Sequence, residues 1–190
     1  MMTDTPEARL AAAGFHLPAV PTPRGNYAPF CAMPYATPDA IPPADSAASG
    51  RASAGSVALA NPVRGRAQWI SISGQVCRQD GVAMTGQCRT EADLEPARRA
   101  AEVSMLNALA ALQVACGGDL TRVVQVVRLR GFVRAAPEFS RHPAVLDAAS
   151  AILRIAFPEQ PLPARSALGV SSLPDQAWTE IEVDAIVAAV

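Results

Sequence analysis

Arg165 is the residue with the clearest chemical potential. It stands between Ala164 and Ser166 in a strand-like segment, with the small residues Ala167 and Gly169 at same-face spacing. Small neighbours leave room beside a guanidinium, whose planar fork matches a carboxylate with two parallel hydrogen bonds. Downstream, Glu180, Glu182 and Asp184 alternate with Ile181, Val183 and Ala185. Alternation puts the three acids on one face of a strand, and a solvated acidic face accounts for at least two of them. Leu173-Pro174-Asp175 between the two segments is a turn signal, so the reading predicts that the last two strands pair antiparallel. Such a pair would bring one of the acids near Arg165.

Other residues are weaker candidates. Ser73 has no G-x-S-x-G around it, and only His16 and His142 exist to serve it as base. His142 precedes Pro143 at a helix start, a place for capping or packing. Tyr27, after Gly25-Asn26, is a pocket wall or a strand aromatic. The cysteines Cys31, Cys77, Cys88 and Cys116 have no C-x-x-C spacing, and two scattered histidines do not complete a zinc site. No metal site is expected. All 16 basic residues are Arg, so lysine Schiff-base chemistry and a G-x-x-x-x-G-K-[ST] phosphate loop are excluded.

Composition narrows the partners. The 190 residues are 50% hydrophobic and 17% charged with a net charge of −1, which suits one sizeable core and a single domain spanning 1–190. Such a balance has no bulk attraction for nucleic-acid backbones. No run of about 18 apolar residues offers a membrane span. The N-terminus, with Asp4 and Glu7, does not read as a secretory signal, and the reading expects a reduced, cytoplasmic protein.

The elements that must position these residues follow from pattern. Thr5-Pro6-Glu7 opens a short helix through Ala13, and Tyr27 to Met33 reads as a short strand. Nine of the 17 prolines fall between Pro18 and Pro62; residues 37–64, mostly Ala, Ser, Pro and Gly, read as a long inserted surface loop. Gln68 to Ser73 alternates as a half-buried strand. A helix runs from about Asp93 to Cys116 and ends at Gly117-Gly118, and its alanines give it a slim face. Val123 to Val133 is a β-branched central strand, and Pro143 to Phe157 a second amphipathic helix, ended by Pro158. Ala164 to Ser171 and Thr179 to about Ala188 are the closing strands. The result is an α/β domain with one mixed sheet and two helices packed on one face. The other sheet face needs a cover, and self-association supplies it most simply.

Pro163-Ala164-Arg165-Ser166, followed fifteen residues after the Arg by Glu180-Ile181-Glu182, resembles the C-terminal signature of the RidA (YjgF-like) family. Ser73-Gly74-Gln75 at a strand end, Tyr27 upstream and Asn107-Ala108-Leu109 in the long helix fall in the same order as in that family. GNYAPF, LNALAAL, GFV, VLDAAS and ARSALGVSSLP are similar to a longer branch of it. The resemblance covers roughly residues 21–190, apart from the inserted loop.

It implies a chorismate-mutase-like (YjgF-like) α/β fold, a homotrimer with inter-subunit clefts, and hydrolysis of reactive 2-imino acids (enamines or imines) to 2-oxo acids and ammonia, without cofactor. Arg165 would then hold the substrate carboxylate and Glu180 would place or activate the attacking water. Tyr27, Ser73 and Gly74 would line the pocket. Asp147 stands where many members have Asn, and Ala167 where Cys is frequent; a carboxylate at Asp147 facing the cleft would repel an anionic substrate. Two other functions are weighed: a non-catalytic trimeric binder of small carboxylates or 2-oxo acids, and an endoribonuclease, for which the sequence offers no basic groove.

Overall fold

Burial periodicity decides where each element packs. A computed structural model of the chain describes residues 4–20, 22–35 and 67–188; the inserted loop predicted over 37–64 lies outside them. Along the chain come α1 (Pro6–Ala12), β1 (Phe30–Tyr35), β2 (Ala67–Val76), β3 (Arg78–Gln79), β4 (Val82–Ala83), α2 (Leu94–Ala115), β5 (Val123–Arg134), α3 (His142–Ala156), β6 (Ala164–Val170) and β7 (Thr179–Ala188). The five long strands form one mixed sheet in the order β1-β2-β7-β5-β6, in which only β5 and β6 run parallel. The α/β architecture with two helices on one face is the one the sequence predicts.

The pairing of the last two strands is not. β6 and β7 are antiparallel in direction but never touch, because β5 lies between them and bonds to both. The Leu173-Pro174-Asp175 signal does form a turn, with Asp175 and Gln176 both in the left-handed region at φ 51° and 56°. That turn carries the chain across the end of β5 and builds no two-strand hairpin. A turn signal reports a local reversal and says nothing about what is threaded between the reversed segments.

Alternate residues of the strands point at the helices. Ile70 and Ile72 of β2, Leu129 and Val133 of β5, and Ile181, Val183, Ala185 and Val187 of β7 are buried in one core with Met105, Leu109 and Leu112 of α2 and Leu146, Ala149 and Ile152 of α3. Alanine allows the close approach of α2: Ala97, Ala101, Ala108 and Ala111 are all fully buried in that cluster. Gly131 does the same for α3, since a Cβ there would collide with the Leu146 side chain.

Both helix ends are built from local chemistry. Thr90 and Asp93 form a capping box ahead of α2, and the backbone N–H groups of Arg89 and Thr90 hold the Asp93 carboxyl below the ordinary range. After Cys116, Gly117 and Gly118 take φ 71° and 95°, and the Gly118 N–H donates to Gln113 O at 2.8 Å. One hairpin escaped the sequence reading: β3 and β4 turn at Asp80-Gly81, whose φ values of 52° and 81° are those of the tight two-residue hairpin turn.

Candidate functional site

The predicted site residues fall into two groups, one on each face of the sheet. Arg165 of β6 pairs in register with Leu129 of β5, a core residue, so its side chain leaves on the helix side. There its Nη1 donates to Asp147 Oδ1 and Ser150 Oγ of α3, both at 2.9 Å, and Nη2 lies 3.5 Å from Pro143 O. Asp147 therefore does face Arg165. Ala167 and Gly169 continue the same face of β6; a Cβ at Gly169 would collide with the His142 ring. His142 Nε2 is buried with no hydrogen-bond partner among the described residues, and burial holds its pKa below the ordinary value.

Glu180 leaves β7 on the opposite face, which carries no helix among the described residues. Its register partners are Phe132 of β5 and Val76 of β2, and its neighbour Ile181 is fully buried in the core. The carboxyl rests over Gly74, where any Cβ would overlap Oε1. The register of β2 against β7 slips between Ile72 and Gln75, so Ser73-Gly74 forms a bulge. Gly74 thus serves by its lack of a side chain. Burial, and then the nearby Glu182, push the Glu180 carboxyl above the ordinary range, with Arg78 pulling the other way. That makes Glu180 a candidate acid–base group.

Ser73 adjoins the glycine under Glu180 and is bonded to the segment that follows Tyr27. The Ser73 hydroxyl donates to Ala28 O at 2.6 Å, and its N–H donates to Pro29 O at 3.0 Å. This ties the segment carrying exposed Tyr27 to the bulge. Ser73 is therefore a clamp with its proton committed, in keeping with the absence of a serine-hydrolase motif. Gly25 lies so close to the Tyr27 ring that a Cβ would stand 3.1 Å from Cε1.

Two buried polar residues of α2 hold this group in place. Asn107 donates its amide to Val76 O and Arg78 O, both at 3.0 Å, just past the bulge. Ser104 Oγ shares a 2.9 Å hydrogen bond with Thr179 Oγ1, beside Glu180. In the sequence Asn107 stood out only through the family resemblance, and Ser104 and Ser150 not at all. A polar residue in an otherwise apolar helical stripe was the available signal for Ser104 and Asn107.

Part of the Glu180 face is polar and self-paired, while Met33, Tyr35 and Leu168 lie exposed on it. Trp69 Nε1 donates to Ser71 Oγ at 3.2 Å, Ser71 Oγ donates to Asp184 Oδ1 at 2.8 Å, and Arg130 makes ion pairs with Glu182 at 2.8 Å and Asp184 at 3.4 Å. A cleft of about 340 Å³ opens beside Arg24, Arg78, Asp80 and Asn107. Among the described residues no three His, Cys, Asp or Glu side chains converge as a metal site. Burial pushes the Cys88 thiol up to about 12 and that of Cys116 up to about 11, which leaves both poorly nucleophilic.

Comparison with known proteins places this arrangement. The family model described as endoribonuclease L-PSP matches residues 56–187. The chain belongs to that family, the YjgF/RidA family. Among curated relatives, Protein TCP17 of Trypanosoma cruzi is 37% identical over 120 residues, covering 62% of this chain and 73% of its own. Two solved structures share the fold over nearly their full length. A candidate endoribonuclease from Shewanella oneidensis is 26% identical, with a TM-score of 0.71 over 96% of this chain and 99% of its own. The protein Atu1372 of unknown function from Agrobacterium tumefaciens is 28% identical, with a TM-score of 0.68 over 99% and 95%. Membership in the YjgF/RidA family agrees with the fold and leaves the activity to the chemistry of the two side-chain groups. Among the described residues no helix is long and apolar enough to cross a membrane.

Proposed function

We propose that the chain is a 2-imino-acid deaminase acting in a homotrimer, with each site formed where the Arg165 groove of one copy meets the Glu180 group of the next. The observation that carries this reading is Glu180. A half-buried carboxyl with a raised pKa, seated over a glycine, suits acid–base work on a small acid that an arginine of another copy would hold. The opposite faces occupied by Arg165 and Glu180 are the reason a second copy is needed.

In this reading Arg165 holds the substrate carboxylate and sets the C=N carbon opposite Glu180. Glu180 takes a proton from water as its oxygen bonds to the iminium carbon, giving a tetrahedral carbinolamine. The proton then passes to nitrogen, the C–N bond breaks, and the hydroxyl loses its proton. The products are the 2-oxo acid and ammonium. Tyr27 and the Ser73-Gly74 bulge form the wall on the Glu180 side.

The family description and the Shewanella relative's name keep an endoribonuclease in view. Against it stands Arg130, neutralised by Glu182 and Asp184 on the open sheet face. A binder without turnover shares the Arg165 groove and differs only at the chemical step. Ammonia release from an imine generated by an amino-acid oxidase separates the readings. The wild-type chain should accelerate release, and Arg165→Ala should lower kcat/KM at least about 100-fold. No acceleration by the wild-type chain, with a ligand still held by Arg165, would leave the binder; cleavage of single-stranded RNA that a Glu180 substitution abolishes would favour the nuclease.

A further inference from the structure

Arg165 is not a lone positive charge. Its guanidinium is held from one side by α3, where Asp147 and Ser150 stand three residues apart on one helix face and both accept from Nη1 at 2.9 Å. Among the described residues Nη2 has a single long contact, 3.5 Å to Pro143 O. The Asp147 side chain is 59% exposed and that of Arg165 25%. Oδ1 carries the bond to Arg165, and Oδ2 accepts no hydrogen bond among the described residues. Beyond the pair, the same face of β6 carries the small residues Ala167 and Gly169, with the His142 ring packed on Gly169. An incoming ligand thus meets a cation and an anion side by side, with donor capacity left on one and a bare oxygen left on the other.

We propose that Asp147 is the specificity-determining residue of this groove: with Arg165 it selects a ligand that carries a carboxylate and a cationic nitrogen on the adjacent carbon over a plain 2-oxo acid. The inference rests on Arg165 as the carboxylate holder. A carboxylate that takes the remaining donors of the guanidinium comes to rest beside the Asp147 charge, which repels it. A ligand with an adjacent positive nitrogen sets that group on Oδ2 and turns the repulsion into attraction. For the proposed reaction the consequence is directional. The protonated 2-imino acid carries both charges, while the 2-oxo acid left after hydrolysis has lost the nitrogen and keeps only the repelled one. Asp147 would favour substrate and expel product.

The test is equilibrium binding to the full-length protein with two probes of one carbon skeleton, L-alanine and pyruvate. The wild-type chain should bind alanine more tightly than pyruvate by about tenfold. Asp147→Asn keeps an acceptor for Arg165 and removes the charge; it should reverse the order, tightening pyruvate and weakening alanine. Ser150→Ala removes a neutral acceptor from the same guanidinium and should leave the ratio unchanged, which separates charge reading from mere support of Arg165. A wild-type preference for pyruvate, binding of neither probe, or a ratio unmoved by Asp147→Asn would overturn the proposal. Arg165→Ala should abolish binding of both probes; if it does not, the carboxylate-holding role fails as well. Absence of ammonia release with the probe preference intact would sink the deaminase alone.

Discussion

At the scale of single residues, chemistry is set by what surrounds a group more than by its type. Glu180 and Glu182 share one face of β7, yet Glu182 pairs with Arg130 while Glu180 is half-buried over Gly74 with its pKa raised. Because that shift is upward, the folded chain holds the Glu180 proton more tightly than the unfolded chain does. Its contribution to stability is present below the ordinary value of 4.5 and is lost as pH rises through the higher folded value. Glu180→Gln should therefore gain thermal stability relative to wild type as pH rises across that interval, while losing turnover at every pH. Parallel melting curves of the two proteins would count against a desolvated Glu180. The sequence marked Arg165 as a fork among small residues and left three acids on the last strand open, Glu180 being singled out only by the family resemblance. It did not make legible that Asp147 is bonded to Arg165, because that contact depends on how α3 lies across β6.

At the scale of elements, most boundaries were legible because each rests on a local signal. α2 ends at two left-handed glycines, α3 starts at a histidine–proline pair, and β5 is a β-branched run; all three lie within a residue or two of expectation. Strand order was not legible. Whether β5 enters between β6 and β7 is decided by burial across the whole sheet, and the antiparallel pairing predicted from the Pro174 turn fails for that reason. The anchoring of α2 was also hidden. Asn107 is almost fully buried in an Ala- and Leu-rich helix because two strand carbonyls past the bulge need its protons. Asn107→Leu leaves both carbonyls without that donor and should cost about 1–3 kcal/mol of stability. Urea denaturation with an unchanged slope measures it. A loss below about 0.5 kcal/mol would mean that water satisfies these carbonyls and that Asn107 does not hold the bulge.

At the scale of the molecule, the two groups of candidate residues lie on opposite faces of one sheet. Arg165 and Asp147 meet where the edge strand β6 passes under α3, whereas the Ser73-Gly74 bulge meets Glu180 on the other face, which carries no helix among the described residues. No rotamer change carries a side chain through a hydrogen-bonded sheet, so one copy cannot bring them together. A closed ring of copies can, since each then offers its edge to the open face of a neighbour. The most direct measurement is complementation between two inactive variants, Arg165→Ala and Glu180→Gln, co-expressed at equal levels and purified as mixed oligomers. If each site takes its arginine from one copy and its glutamate from the next, about one quarter of the sites are intact. Imine hydrolysis should then return to about that fraction of wild type, with both separate variants inactive. Mixed oligomers as inactive as the separate variants would contradict the shared site.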